Sequence, residues 1–401
     1  MSGWEAIVSS TAFQMSLLMF VALAGYLIAY RVNQSAVVGI ILCGIVVGPS
    51  LLNWVTYTDF VATLAHLGAV VLLFTIGLEF NIKDIWKVRY VIIALVGVIV
   101  PALSGYFLAV AFGFDTKASV FIGTALTATS IAITANVLKE MGKLQTGTAR
   151  AIIAAAVIDD VLSLLALATS QGLVSGDLSA ESVLITLAKA AGFIIAGILL
   201  GRLVLNPLLA RLDNTSLCSR YPESIFIFTI MIAFLYAMGA EAVGLSAIVG
   251  SFLAGASFSG INLTHGRHFR DAAEHLQIIF AAIFFVSLGV IMDLHGVGLN
   301  MLWFTLALTA VAIITKVIGC GIPARIQKMS VRDSLIVGVG MVPRGEVAMI
   351  VALIGLNTVD KVSGQSLINQ EVYAAVILMA LLTTIFPPLI MRNLLYKDNT
   401  R

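Results

Sequence analysis

The stretch Ala149–Leu167, ARAIIAAAVIDDVLSLLAL, carries two adjacent carboxylates, Asp159 and Asp160, in the middle of an otherwise apolar run. Its length and composition suit a helix buried in hydrocarbon, but the two aspartates do not. A charge near a bilayer centre costs at least ~2.5–3.5 kcal/mol on insertion scales, and two like charges side by side cost more. A chain that keeps such a pair uses it to bind ions or protons. Successive helical residues point ~100° apart, so the two carboxylates face different directions and take different partners.

The rest of the chain agrees with a membrane setting. Of 401 residues, 60% are hydrophobic and 11% charged, and the mean hydropathy is +1.05. Soluble domains carry ~25% charged residues, so the composition is that of an all-α polytopic membrane protein with lipid as its main partner and no nucleic-acid role. The opening MSGWEAIVSS has no Lys or Arg, which is not the basic start of a secretory signal, so the first helix is expected to stay in the mature chain. Cys43, Cys218 and Cys320 are isolated. They read as small hydrophobes, and no cofactor is expected.

A crossing needs about 20 mostly apolar residues. Thirteen candidate spans follow one another, at about 12–30, 36–52, 59–79, 89–112, 117–138, 148–171, 182–209, 223–239, 242–258, 272–291, 299–324, 332–356 and 369–391. The second, eighth and ninth are short for a full crossing. With the N-terminus outside, the alternate loops assigned inside hold Arg31, Lys83, Lys87, Arg89, Lys139, Lys143, Arg150, Arg202, Arg211, Arg220, Arg267, Arg270, Arg325, Lys328, Arg332, Arg392, Lys397 and Arg401, which are 18 of the 23 basic residues. The outside loops hold only Lys117 and Lys361. This is the expected charge asymmetry for a multi-pass membrane protein with an inner, cytoplasmic C-terminus. Nearly all acids then fall at helix ends or in loops. Only Asp159, Asp160 and Glu346 lie deep, with Lys316 and Arg344 as deep bases and Lys189 nearer an end.

Two spans read as broken helices. Span five carries Thr124-Ala125-Leu126-Thr127-Ala128-Thr129-Ser130, a dense group of hydroxyls at mid-depth. Span twelve carries Met341-Val342-Pro343-Arg344-Gly345-Glu346, where Pro343 removes a backbone donor and Gly345 tolerates unusual dihedrals. Hydroxyls in membrane helices also commonly bond back to the preceding turn, and a lone proline kink is common, so either feature by itself has a plain structural reading. Together they are more specific. Spans two to six and nine to thirteen form two five-helix units of inverted topology, and the broken helix is the fourth member of each. That is how secondary transporters build a midplane site, with crossed discontinuous helices whose ends aim partial charges at it.

Lys316 is the natural neighbour of the pair, because helical side chains lean toward the helix N-terminus, which brings its ammonium back to mid-depth. The alternative is a lysine snorkelling to the interface, the preferred reading for Lys189. Arg344 and Glu346 neutralise each other or the ends of the broken helices, with direct participation in transport as the other reading. His265, His268 and His275 are expected to be solvated loop or interface residues. An aspartate held between burial, a second carboxylate and a lysine titrates where protons and a monovalent cation compete for it. Hard oxygen ligands for such a cation are at hand: a carboxylate, freed carbonyls around Thr127–Ser130, and a hydroxyl. Competition for one site with alternating access gives obligatory exchange.

At HLGAVVLLFTIGLEF (66–80), TATSIAITANVLKEMGKL (127–144), IDD (158–160), GSFLAGASFS (250–259), FFVSLGVIMDL (284–294), ITKVIGC (314–320) and GMVPRGEVAMIVA (340–352) the chain resembles the cation–proton antiporter superfamily, specifically its second branch of thirteen-helix bacterial and archaeal sodium–proton antiporters. The resemblance implies that Asp160 binds the cation or proton, with Thr129 and Ser130 beside it, and that Asp159 pairs with Lys316. It implies that the broken helices cross near Thr127, Thr129, Pro343, Arg344 and Glu346. It also implies a homodimer in which a core (89–171 and 299–394) moves as an elevator against helices of 1–80 and 182–291 on the dimerisation side. Potassium-efflux relatives commonly have Gln-Asp at the pair and a soluble nucleotide-binding domain, and the electroneutral branch has Asn-Asp. The Asp-Asp pair with Lys316 therefore implies Na+, also Li+, exchanged for two protons, with K+/H+ exchange as the alternative. A cation channel would need a selectivity filter, and none is visible. An intramembrane aspartyl protease would need its acids on separate helices with a GxGD motif, so no enzyme is expected.

Overall fold

The computed structural model describes residues 10–80, 87–175, 180–261, 263–264, 268–292, 299–359 and 366–392. The described residues form helices joined by turns and loops, with an isolated antiparallel bridge between Val359 and Ser366. It begins with α1 (Thr11–Arg31), α2 (Ala36–Val47), α3 (Asp59–Leu78) and α4 (Val88–Ala111). The fifth span is two helices, α5 (Thr116–Ala125) and α6 (Ile131–Glu140), and α7 (Gly147–Ser175) carries the aspartate pair. Then α8 (Ala180–Leu200) runs through a wide turn, Gly201–Leu205, into α9 (Asn206–Asp213), followed by the short α10 (Ser216–Arg220). The chain continues through α11 (Glu223–Ala242), α12 (Ala247–Ser257), α13 (Phe269–Val290) and α14 (Leu299–Ile326). The twelfth span is again two helices, α15 (Val331–Gly340) and α16 (Glu346–Asn357), and α17 (Gln370–Ile390) follows.

Every expected span falls on a helix or a helix pair. Among the described residues 9 helices are long and apolar enough to cross a membrane, whereas α2, α12 and α16 are shorter apolar helices. Helix length therefore does not by itself establish thirteen crossings. Large apolar side chains such as Phe20, Phe107, Leu203 and Trp303 are exposed on the outside of the bundle, as lipid-facing residues should be.

The helices pack in two groups. In one, α1 packs on α2, α2 on α13, α3 on both α12 and α13, and α11 on α12. In the other, α4 packs on α5, α7 and α14, and α14 on α15 and α17, while α5 meets α16. The inverted units are visible in the element lengths: α2 and α12 have 12 and 11 residues, α3 and α13 have 20 and 22, and the two halves of each broken helix have 10 and 10, or 10 and 12. The crossings match as well. A Cβ on Gly44 of α2 would collide with the Val286 carbonyl of α13, and one on Gly255 of α12 with the Phe74 carbonyl of α3. Without a hydrophobic force between helices in lipid, such small-residue crossings let backbones approach and supply the packing.

The far ends of the broken helices are capped by the sequence in the same way. The Asp115 carboxylate accepts from Ala118 N–H at 3.2 Å, and Ser330 Oγ from Asp333 N–H at 3.0 Å. The inner ends are not: neither Ser130, before α6, nor Gly345, before α16, caps its helix with a side chain. The uncapped N–H groups of both half-helices are left at the centre of the molecule.

Candidate functional site

The two interruptions cross and are stitched together. Ser130 N–H donates to Pro343 O at 2.8 Å. Thr129 Oγ1 donates to Met341 O at 3.1 Å, and Thr134 Oγ1 to Gly340 O at 2.6 Å. The hydroxyl cluster thus divides. Thr124 and Thr127 bond back to carbonyls of α5 itself, while Thr129 and Thr134 hold the second broken helix. Gly345 differs from its expected role. Its dihedrals, φ −115° and ψ −148°, do not lie in the left-handed region. What it supplies is room, because a Cβ there would sit 2.8 Å from both Cβ and Oγ of Ser130.

Two cations converge on the carbonyl end of α5. Lys316 Nζ, on α14, is 2.7 Å from Asp159 Oδ1 and donates to Thr127 O at 2.7 Å. Both charged residues are fully buried at 0% exposure, so the lysine does not snorkel. Arg344 is equally buried and donates through Nη1 to Thr127 O at 3.0 Å and to Ala128 O at 2.5 Å. Positive charge at the C-terminal end of a half-helix offsets its dipole and satisfies carbonyls that the break leaves free. Thr384 Oγ1, on α17, in turn donates to Arg344 O at 2.8 Å. Glu346 opens α16, but its side chain lies outside what the structure describes.

Asp160 faces the other way. It is 6% exposed, and its Oδ2 has no hydrogen-bond partner. It stands at the floor of a cavity of about 680 Å³ whose mouth is at Tyr57, His66, Glu241 and Gly244 and whose walls include Leu164, Phe284 and Ser287. A second, small cavity of about 10 Å³ adjoins it, lined by Thr129, Ser130, Asp160, Ser246 and Gly345. That space matches one water-sized body. Asp159 Oδ2 and Ser163 Oγ are also buried without a partner. Of the three, Asp160 is the one that lines the cavities; a buried unpartnered oxygen there marks a place for a ligand, and carboxylate and hydroxyl oxygens suit a hard cation.

Four residues of this region were not anticipated. Ser163 lies three and four residues beyond the pair, on the same helix face, and its spacing could have drawn attention. Ser246 comes from a different helix group and leaves no local signal. His66 Nε2 and Glu241 Oε1, 3.7 Å apart at the cavity mouth, likewise meet only through the fold. Lys189 is exposed on α8, and His268 and His275 are exposed near Asp271, whereas His265 lies outside the described residues.

The end of the molecule opposite the cavity mouth is closed by polar contacts between the two helix groups. Lys139 of α6 lies 3.4 Å from Glu79, 3.2 Å from Glu274 and 3.0 Å from Gln277 Oε1. Glu140 accepts from Ser35 Oγ at 2.7 Å and from Ala36 N–H at 3.3 Å. Arg392, past α17, donates to Asn33 Oδ1 at 2.8 Å and to the Gln34 carbonyl.

A family model described as "Sodium/hydrogen exchanger, transmembrane" matches residues 17–395. The chain belongs to that family. It is a multi-pass membrane transporter rather than an enzyme, in agreement with the resemblance read from its motifs. This exchanger-family chain is 33% identical over 379 residues to the Na(+)/H(+)-K(+) antiporter GerN of Bacillus cereus, with 94% of each chain covered. It is 30% identical over 367 residues to a Na(+)/H(+) antiporter of Enterococcus hirae, covering 91% of this chain and 93% of that one. Its fold is similar to that of the sodium proton antiporter MjNhaP1 from Methanocaldococcus jannaschii, with a TM-score of 0.74, 96% of both chains covered and 16% identity.

Proposed function

We propose that this protein exchanges Na+, and also Li+, for H+ across the cell membrane by alternating access. The observation that carries the reading is Asp160: a buried carboxylate with an unpartnered oxygen, lining a cavity that reaches Tyr57, His66 and Glu241, beside two crossed helix breaks. In this reading the cation takes Asp160 Oδ2, with Thr129 and Ser130 contributing oxygens from the breaks. A proton competes for the same carboxylate. Asp159 is held by Lys316 and does not take the cation while that ion pair stands. When cation or proton neutralises Asp160, the cost of carrying its charge through hydrocarbon falls, so loaded and protonated forms cross and the bare anion does not.

The group containing α4 to α7 and α14 to α17 is the moving core, and the group of α1 to α3 and α11 to α13 is the scaffold, which also forms the homodimer interface. The cavity opens to the outside, consistent with the excess of basic residues at the opposite end. Exchange of two protons per cation, with net charge movement, is part of the proposal. The name of the GerN relative includes K+, which supports K+/H+ exchange as the second reading.

The test is proton flux in proteoliposomes with Li+, Na+ or K+ in turn, with and without a clamped membrane potential. Proton movement driven by Na+ and Li+ and altered by the clamp is expected. Flux independent of every alkali cation would sink the proposal, and flux with K+ alone would select the second reading.

A further inference from the structure

The oxygens of the proposed cation site come from α7 and from the break after α5, in one helix group. The other group faces them with Ser246, Ile248 and Val249, of which Ser246 is the polar residue. Helix α12 begins at Ala247 with Ser246 as its N-cap, and Ser246 lines both the large cavity and the small one beside Asp160. The Ser246 Oγ is occupied, accepting from Ile248 N–H at 3.2 Å. Ser246 and Asp160 line the same small cavity, and the Ser246 backbone N–H lies toward the carboxylate. The N-terminus of an eleven-residue helix thus points at a carboxylate that is 6% exposed and whose Oδ2 lacks any partner. The polarity suits an anion.

We propose that the Ser246 N–H is a positioning donor for the exchange site: it holds the Asp160 carboxylate so that Oδ2 faces the small cavity and is ready for a cation, and it does so only while the cavity is open to this end. The second clause follows from packing. Helix α12 rests on α3 and α11, whereas α7 rests on α4 and α5, so movement of one group against the other separates donor from carboxylate. The site would therefore have its full set of contacts on one side of the membrane and one fewer on the other. This inference rests on the alternating-access reading above.

The backbone allows a clean test. Ser246 has φ −64° and ψ 139°, the geometry of proline, and Leu245 before it is not helical. Ser246→Pro removes the N–H, and Ser246→Ala removes the hydroxyl but keeps the N–H. Half-saturating Na+ is measured from each side in oriented membrane vesicles. Ser246→Pro should raise it about tenfold on the side of Tyr57 and Glu241, the scale of one hydrogen bond to a charged group. Maximal rate should change less, and half-saturation on the opposite side should not change. Ser246→Ala keeps the N–H and serves as the reference for the lost cap, and the one-sided rise in Ser246→Pro should exceed any change in Ser246→Ala about tenfold. If Ser246→Pro does not fold, an amide-to-ester exchange at position 246 in the Ser246→Ala background removes the same donor and should give the same one-sided rise. Wild-type half-saturation after loss of the N–H, an equal rise on both sides, or the same rise in Ser246→Ala would overturn the inference. Absence of Na+-driven proton flux in the wild type would instead overturn the proposed function.

Discussion

At the scale of single residues, the adjacent aspartates have unlike surroundings. Asp159 is bonded to Lys316 at 2.7 Å, while Asp160 keeps an oxygen free at the cavity floor. The two roles make different predictions. Asp160→Asn should abolish cation-dependent proton flux in proteoliposomes, and retained flux would remove Asp160 from the site. Lys316→Gln should reduce net charge movement per cycle, read as current on a supported membrane. It should also destabilise the fold by about 3–5 kcal/mol, because removing one partner leaves a buried charge uncompensated. Normal current in a folded variant would reject a part for Lys316 in the charge balance. Thr129→Val should weaken apparent cation affinity more than it lowers the melting temperature, since the hydroxyl lines the small cavity while its bond to Met341 O is only one of several stitches between the breaks.

At the scale of elements, the breaks were legible before any coordinates. A run of hydroxyls in one span and Pro343-Arg344-Gly345 in another placed both interruptions at the right residues. The reason for Gly345 was not legible, because steric room is a property of what lies opposite, and Ser130 is more than two hundred positions away in the chain. Nor could sequence say that Arg344 would reach the carbonyls of residues 127 and 128. Gly345→Val should force the crossing apart. Overpacking of this kind costs ~1–3 kcal/mol, so a lower melting temperature in detergent together with lost exchange is expected. A variant that melts and exchanges like the wild type would show that the close approach at Ser130 is dispensable.

At the scale of the whole molecule, a cavity opens at one end and polar contacts join the two helix groups at the other. Among these contacts Lys139 gathers Glu79, Glu274 and Gln277 around one ammonium. The charged groups are partly exposed, so each ion pair is worth only ~0.2–1 kcal/mol. A latch of that strength is suited to opening in a transport cycle. Lys139→Met should weaken it, and amide hydrogen exchange over residues 134–140 should speed up several-fold. Unchanged exchange would mean that packing and the contacts of Glu140 and Arg392 hold that end without Lys139.

The sequence by itself determined the solvent, the helices and the identity of the deep charges. Each of these follows from local physics: a helix in lipid must be apolar along its whole length, so three acids and a few bases stand out wherever the fold puts them. The pairing of Asp159 with Lys316 came from the resemblance, not from local pattern; only the tertiary structure decided its geometry, where Arg344 reaches, and which distant backbone lies beside Asp160. Contacts such as Lys316 with Asp159, Arg344 with the carbonyls of Thr127 and Ala128, and Ser246 beside Asp160 join segments far apart in the chain, and their distances are set by how helices cross. No local pattern of residues encodes those crossings.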